Sequence, residues 1–341
     1  MEPPPVQYVT TSEGVRIAYS VSGAGRPLVV LGPALGGMAL WWRFAPGWME
    51  GLAARFQLIQ HDMRGHGMSE RGLPTNLAVG DDEKALDAVL DRLQFDRFII
   101  YGLSGVGHMG VRYAAAHPER VEALILNGTT VSVVTPSFYR AVAAENWEFF
   151  LRSFVPASVG PEESQRWVET LRESTNYDDW QIRARVASES NIVEPLGRIR
   201  VPTLVLHARG LALTPPEGAT RLAAMIPNAR LVMISGDHPL GDAGEGLAAI
   251  ERFLGELPPR AEGGALPARQ GAIVVKGLSP RQHQVLHLIA QGKTNREIAE
   301  ALVLSERTVQ RHIADLYLKI DVRNRAEAVG YARDHAVRGR A

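Results

Sequence analysis

The sequence predicts an α/β sheet, mostly parallel and carrying a helical cap, over residues 1–257, followed by an all-α unit of four helices over 278–341. Three features carry this expectation. Before residue 257, short apolar runs alternate with helix-like segments; after 278 the pattern is wholly helical. Between them "PPRAEGGALPARQGAIVVKG", rich in Pro, Gly and Ala and without helical period, reads as a linker over 258–277.

The length of 341 residues favours two units over one. With no cysteine, disulfide stapling, thiol chemistry and Cys-based zinc sites are excluded. The opening "MEPPPVQYV" shows no basic segment ahead of an apolar run. The longest uncharged run, "PLVVLGPALGGMALWW", is broken by Pro and Gly, so a cytoplasmic location and no membrane partner are expected. Net charge is zero but uneven: residues 278–341 hold eleven Lys and Arg against seven Asp and Glu, which permits nucleic-acid contact by the C-terminal unit.

Taken in order, "PLVVLG", "FQLIQ", "RFIIYG", "VEALILNG", "PTLVLHA" and "ARLVMISG" read as buried strands, and segments such as "DDEKALDAVLDRLQ" as the helices between them. Strands alternating with helices build a mostly parallel sheet covered on both faces. From about 130 to 190 the alternation stops. Phe138, Tyr139, Trp147, Phe149, Phe150, Phe154, Trp167, Tyr177 and Trp180 recur there at helical spacing. This insertion is expected to cap one end of the sheet, its aromatics either lining a ligand pocket or filling a small core of their own.

In "RFIIYGLSGVGHM" a strand pattern runs into Ser104 between glycines and then into a helix. A sharp strand-to-helix turn lifts a hydroxyl out of the sheet and sets the next backbone N–H at a helix N-terminus, where an oxyanion would be stabilised. Further along come "HDMRGHGMSE" and, after the final strand, "GDHPLGD" with His238. Together these resemble the α/β-hydrolase family over residues 6–257, with Asp62, Arg64, Gly65, Gly67 and Ser69 matching its D-x-R-G-x-G-x-S loop. The resemblance implies Ser104 as nucleophile, His238 as base, and the amide of Gly105 with that of Ala34 or Leu35 as oxyanion hole. Trp41 and Trp42 follow that loop, and Trp42 either touches a ligand or packs in the core.

Departures from the family pattern are specific. Gly32-Pro33 stands where His-Gly is usual, and Val106 where a small residue is. The acid position after the "PTLVLHA" strand is Leu211, with no carboxylate from His207 to Pro216. A leucine cannot accept the imidazole N–H, and loss of a triad acid costs about 10⁴-fold in turnover. Two groups could substitute: Asn127, at the end of "VEALILN", whose amide can orient a histidine without offsetting its charge, and Asp237 beside His238, although neighbouring side chains in an extended loop diverge. His61, His66, His108 and His117 lack metal-ligand spacing, and neither a metal nor a cofactor is expected.

The C-terminal region repeats helix-start signals: Ser279-Pro280, Thr294 with Glu297, Ser305, and Asn324 with Glu327, with Gly292 ending the first helix. A short turn, "VLSERT", joins the second helix to the third. The stretch from "LSPRQHQVLHLIAQG" through "RNRAEAV" resembles the LuxR-type DNA-binding domain, a helix-turn-helix that sets its third helix in the major groove. The resemblance implies that Gln310, Arg311 and Ala314 face base edges, while Lys293, Asn295, Arg307, Thr308 and Lys319 meet phosphates. The expected function is a DNA-binding transcriptional regulator, a homodimer on DNA. In it a degenerate hydrolase-like domain senses a small molecule such as an ester, lactone or carboxylic acid. The alternative is an active serine esterase fused to the same DNA-binding domain.

Overall fold

A computed structural model describes residues 4–32, 35–131, 137–153, 155, 160–211, 214–257, 280–290, 292–302, 306–320, 322 and 324–338. The chain divides into two compact units, Met1–Leu257 and Pro258–Ala341. The expected linker, 258–277, lies outside the described residues.

The six anticipated strands form as β3 (Pro27–Leu31), β4 (Gln57–His61), β5 (Phe98–Leu103), β6 (Val121–Asn127), β7 (Thr203–Ala208) and β8 (Arg230–Ile234), and all pair in parallel. Ahead of them β1 (Val6–Thr10) and β2 (Arg16–Ser22) add antiparallel at one edge, giving the order β1-β2-β4-β3-β5-β6-β7-β8. These two strands are not among the six that the sequence pattern predicts. β1 is half exposed and mixes polar with apolar residues, so no apolar run marks it.

Helices α1 (Gly37–Phe44), α2 (Pro46–Ala53), α3 (Asp81–Leu93) and α4 (Gly107–Ala116) precede the insertion, and α9 (Val193–Arg198), α10 (Pro216–Met225) and α11 (Ala243–Gly255) follow it. Two cores result, as a sheet buried on both faces requires. One sets Leu86, Val89 and Leu90 of α3 and Val111 of α4 against Val29, Ile100 and Leu124 of the sheet. The other sets Trp48, Met49 and Leu52 of α2 and Ile250 and Phe253 of α11 against Leu28, Ile99 and Ile125.

Among the described residues the insertion forms four helices, α5 (Ser137–Glu145), α6 (Trp147–Arg152), α7 (Pro161–Ser174) and α8 (Tyr177–Glu189). Its described aromatics spend their surface on one another. Phe150 and Trp180 lie 4.5 Å apart, Trp147 and Phe150 5.1 Å, and Trp167 stacks on Phe44 of α1 at 4.2 Å. Phe150 is wholly buried among Leu35, Leu40, Leu151 and Leu171. Of the two roles the spacing left open, these side chains take the small core joining the cap to α1. Phe149 instead faces out, and the side chains of Phe138, Tyr139 and Phe154 lie outside the described residues.

The second unit comprises α12 (Pro280–Ala290), α13 (Asn295–Leu302), α14 (Glu306–Ile320) and α15 (Arg325–Arg338). Val285, Leu286, Ile289, Ile298, Val309, Ile313, Leu316 and Ile320 make one core, with Ala328 and Ala332 of α15 completing it. Among the described residues, no helix is long and apolar enough to cross a membrane.

Candidate functional site

The strand order reverses between β3 and β5, and in α/β sheets it is beyond the carboxyl ends at such a switch point that ligands bind. Ser104 follows β5 there, and Leu35 lies on the loop after β3. Ser104 has φ +49°, one of three non-glycine residues with positive φ among those described, in a single turn (Ser104–Val106) leading directly into α4. Such backbone in a serine is strained and holds only where the surroundings enforce it. Here Thr129 Oγ1 donates to the Ser104 carbonyl at 2.9 Å. A Cβ on Gly107 would lie 2.2 Å from that same Thr129 oxygen, so only glycine lets α4 start this close to the end of β6.

His238 is half buried on the loop after β8. Its Nδ1, the atom a triad acid would engage, accepts the Leu240 backbone N–H at 3.3 Å. A neutral ring whose Nδ1 accepts carries its proton on Nε2, so the nitrogen that should take the serine proton is itself a donor. Among the described residues no carboxylate pairs with this ring, and no hydrogen bond joins it to Ser104. Leu211, where the family resemblance leads one to expect the acid, is buried with 5% of its surface exposed, and its N–H bonds the Ala208 carbonyl at 3.3 Å.

Asn127 does not take the acid's place. It sits one strand over from the serine turn, its register partners being Leu103 and Leu206. Its Nδ2 donates to the Tyr101 hydroxyl at 2.7 Å and to the Leu240 carbonyl at 3.1 Å. It therefore braces the His238 loop through the backbone and leaves the ring alone. Its Oδ1 is buried without a partner.

The remaining hydrolase-like residues are structural in their contacts. Asp62 accepts N–H groups from Met38 at 2.6 Å and Met68 at 2.8 Å, tying the loop after β4 to the start of α1. Burial raises its carboxyl above the usual range, and those two N–H groups oppose the rise. Gly67, at φ +53°, has no room for a Cβ, which would fall 2.0 Å from Asp62 Oδ2. Ser69 Oγ donates to the Asp62 carbonyl at 2.6 Å and accepts from Ala18 at 2.9 Å. Trp42 is a core residue whose indole N–H is satisfied by Gln60 Oε1 at 2.6 Å. Leu35 packs against the cap, and Ala34 lies outside the described residues.

Sequence reasoning missed a buried polar cluster beneath the cap. Arg183 of α8 pairs with Asp82 of α3 and donates from Nε to the Arg64 carbonyl at 3.1 Å. Beside it His61 and His66 are fully buried; the His61 ring nitrogens have no hydrogen-bond partner, and the His66 ring has at most a weak contact with the Arg64 backbone. Burial lowers their pKa values to about 4 and about 3, Arg183 adding to the drop. His108 differs, since its Nε2 meets the Thr130 carbonyl at 2.8 Å and its Nδ1 the Ser190 hydroxyl at 3.4 Å, at the two roots of the cap. No cluster of three or more potential ligands fit for a metal ion occurs among the described residues.

In the second unit Thr294 and Glu297 cap α13 reciprocally: Thr294 N–H donates to Glu297 Oε2 at 2.8 Å and Glu297 N–H to Thr294 Oγ1 at 3.2 Å. On α14, Gln310 and Ala314 are exposed one turn apart, while Val309 and Ile313 face the core. The side chains of Arg307, Thr308 and Arg311 lie outside the described residues. The three other expected phosphate contacts already have partners within the unit. Lys293 Nζ lies 3.3 Å from Glu297, Lys319 Nζ donates to Gln282 at 3.0 Å, and Asn295 Oδ1 accepts from Arg325 at 3.1 Å.

Comparison with known proteins matches residues 27–176 to the family described as alpha/beta hydrolase fold, and residues 276–332 to bacterial regulatory proteins of the luxR family. A 2-hydroxy-6-oxononadienedioate/2-hydroxy-6-oxononatrienedioate hydrolase of Cupriavidus pinatubonensis is 27% identical over 250 residues, 66% of this chain and 86% of that protein. The transcriptional regulatory protein LiaR of Bacillus subtilis is 42% identical over 69 residues, 20% of this chain and 33% of that regulator. The crystal structure of a hydrolase from Pseudomonas aeruginosa superposes with a TM-score of 0.64 at 24% identity, covering 74% of this chain and all of that one.

Proposed function

Because this chain joins an α/β-hydrolase-fold domain to a LuxR-type DNA-binding domain, we propose that it is a transcriptional regulator whose hydrolase-fold domain senses a small molecule. One observation carries the choice of sensing over conversion: the His238 Nδ1 is taken by the Leu240 N–H, with Leu211 at the acid position. A ring so held neither draws the proton from Ser104 nor stabilises its own positive charge. The serine turn nonetheless keeps its strained backbone and offers a hydroxyl and the Gly105 amide to a carbonyl-bearing ligand, whether ester, lactone or carboxylic acid. For the ligand to regulate, it must favour one state of the molecule through differential affinity. Two readers on neighbouring half-sites multiply weak single contacts, so the DNA-bound form is a homodimer.

A mobility-shift assay on a promoter fragment, with and without a panel of short-chain esters, lactones and carboxylates, tests this. Sequence-specific binding altered by at least one compound is expected. No specific binding would overturn the regulator, and binding that no compound alters would overturn the sensor. The second reading, an active serine esterase, draws its support from the retained turn at Ser104. A fluorophosphonate probe that labels the protein rapidly, with labelling lost in Ser104→Ala, together with fast multiple turnover of a simple ester, would establish that reading instead.

A further inference from the structure

Arg325, the first residue of α15, was not among the expected DNA contacts. It reaches back to the turn between α12 and α13, where its Nη1 donates to Asn295 Oδ1 at 3.1 Å and its Nη2 to the Lys293 carbonyl. One planar fork thus grips a side chain and the main chain on either side of Thr294, a geometry lysine cannot reproduce. A carboxamide has one acceptor oxygen and one NH2 group. With Oδ1 held by Arg325, the Asn295 Nδ2 is turned away from that cation at the first residue of α13.

The turn bears further signs of an anion-facing surface. Thr294 and Glu297 satisfy each other, so the turn keeps its shape without help from outside. Lys293 and Arg325 bring two positive charges against the single negative charge of Glu297. A helix N-terminus beside that excess favours phosphate.

We infer that Arg325 is a positioning residue for DNA. It does not deliver its own charge to a phosphate; it fixes the Asn295 amide so that Nδ2 meets the backbone. The inference rests on the reading of this unit as DNA-binding. Phosphate contacts contribute to binding on any sequence, so a generic 30-base-pair duplex serves as the probe, with the full chain titrated at several salt concentrations.

Arg325→Lys keeps the charge and loses the fork, and is expected to weaken binding about tenfold with the salt dependence unchanged, the scale of one lost hydrogen bond to a charged group. Asn295→Ala should cost about the same, and the double variant no more than either single one. Asn295→Asp separates folding from binding: it keeps an oxygen for Arg325, so the melting temperature should hold, yet it turns a carboxylate oxygen outward and should weaken binding more than alanine does. Wild-type affinity in Arg325→Lys, additive losses in the double variant, or undiminished binding by Asn295→Asp would each overturn the inference. Failure of the unaltered chain to bind any duplex would remove the DNA reading itself, a result distinct from these.

Discussion

His61 and His66 show what a single buried ring can do to a protein's pH response. Folded, both are held neutral, with pKa values near 4 and near 3; unfolded, each returns to about 6.5. Between those limits the unfolded chain binds more protons than the folded one, so stability rises with pH there. The contribution is complete above pH 6.5 and is lost as the pH falls towards 4 and then 3. Each pKa unit corresponds to about 1.4 kcal/mol, so the two rings together withdraw several kcal/mol across that range. Urea midpoints of the first domain at pH 7.5 and pH 5 should therefore differ, and His61→Asn should about halve the difference, His66 supplying the rest. A midpoint that does not move with pH would show that the folded state does not hold these rings neutral. Arg183 and Asp82 lie in the same cluster, so the cap helix α8 should loosen first.

Among elements, α13 depends most visibly on its own ends. Its N-terminal N–H groups are met by the Thr294–Glu297 pair, and α15 begins with the same device, Asn324 Nδ2 donating to Glu327 at 2.7 Å and Glu327 N–H to Asn324 at 3.0 Å. Thr294→Ala removes one such cap and should lower the opening free energy of the α13 amides by about 1 kcal/mol, read by hydrogen exchange in the intact chain. Unchanged exchange would mean that packing of Ile298 and Ala299 alone holds the helix. These ends were legible in the sequence because a cap is a local pattern, three residues apart. The edge strand β1 was not, since its pairing with β2 depends on a partner and not on any apolar run of its own.

At the scale of the whole molecule, the proposed sensor must hold its ligand longer than it takes to convert it. A typical enzyme turns over at about 10 s⁻¹; a loss of about 10⁴-fold leaves ~10⁻³ s⁻¹, many minutes per event. Steady-state hydrolysis of p-nitrophenyl acetate by the full chain is expected at or below that rate, and Leu211→Asp is expected to raise it. A wild-type rate of several per second would return the first domain to ordinary catalysis.

The sequence by itself determined two domain types, six strands of a mostly parallel sheet, the serine turn and the capped starts of α13 and α15, because each follows from local period, turn chemistry or a motif within one stretch of chain; the expected caps at Ser279 and Ser305 lie outside the described residues. Only the tertiary structure decided which way the site's side chains are committed. Ser104 and His238 come from loops 134 positions apart. Leu240 claims the imidazole, Asn127 turns to a backbone carbonyl, and Arg325 reaches across 30 residues to orient Asn295. A hydrogen bond depends on distance and direction in space, and no spacing along the chain specifies either for residues brought together only by folding.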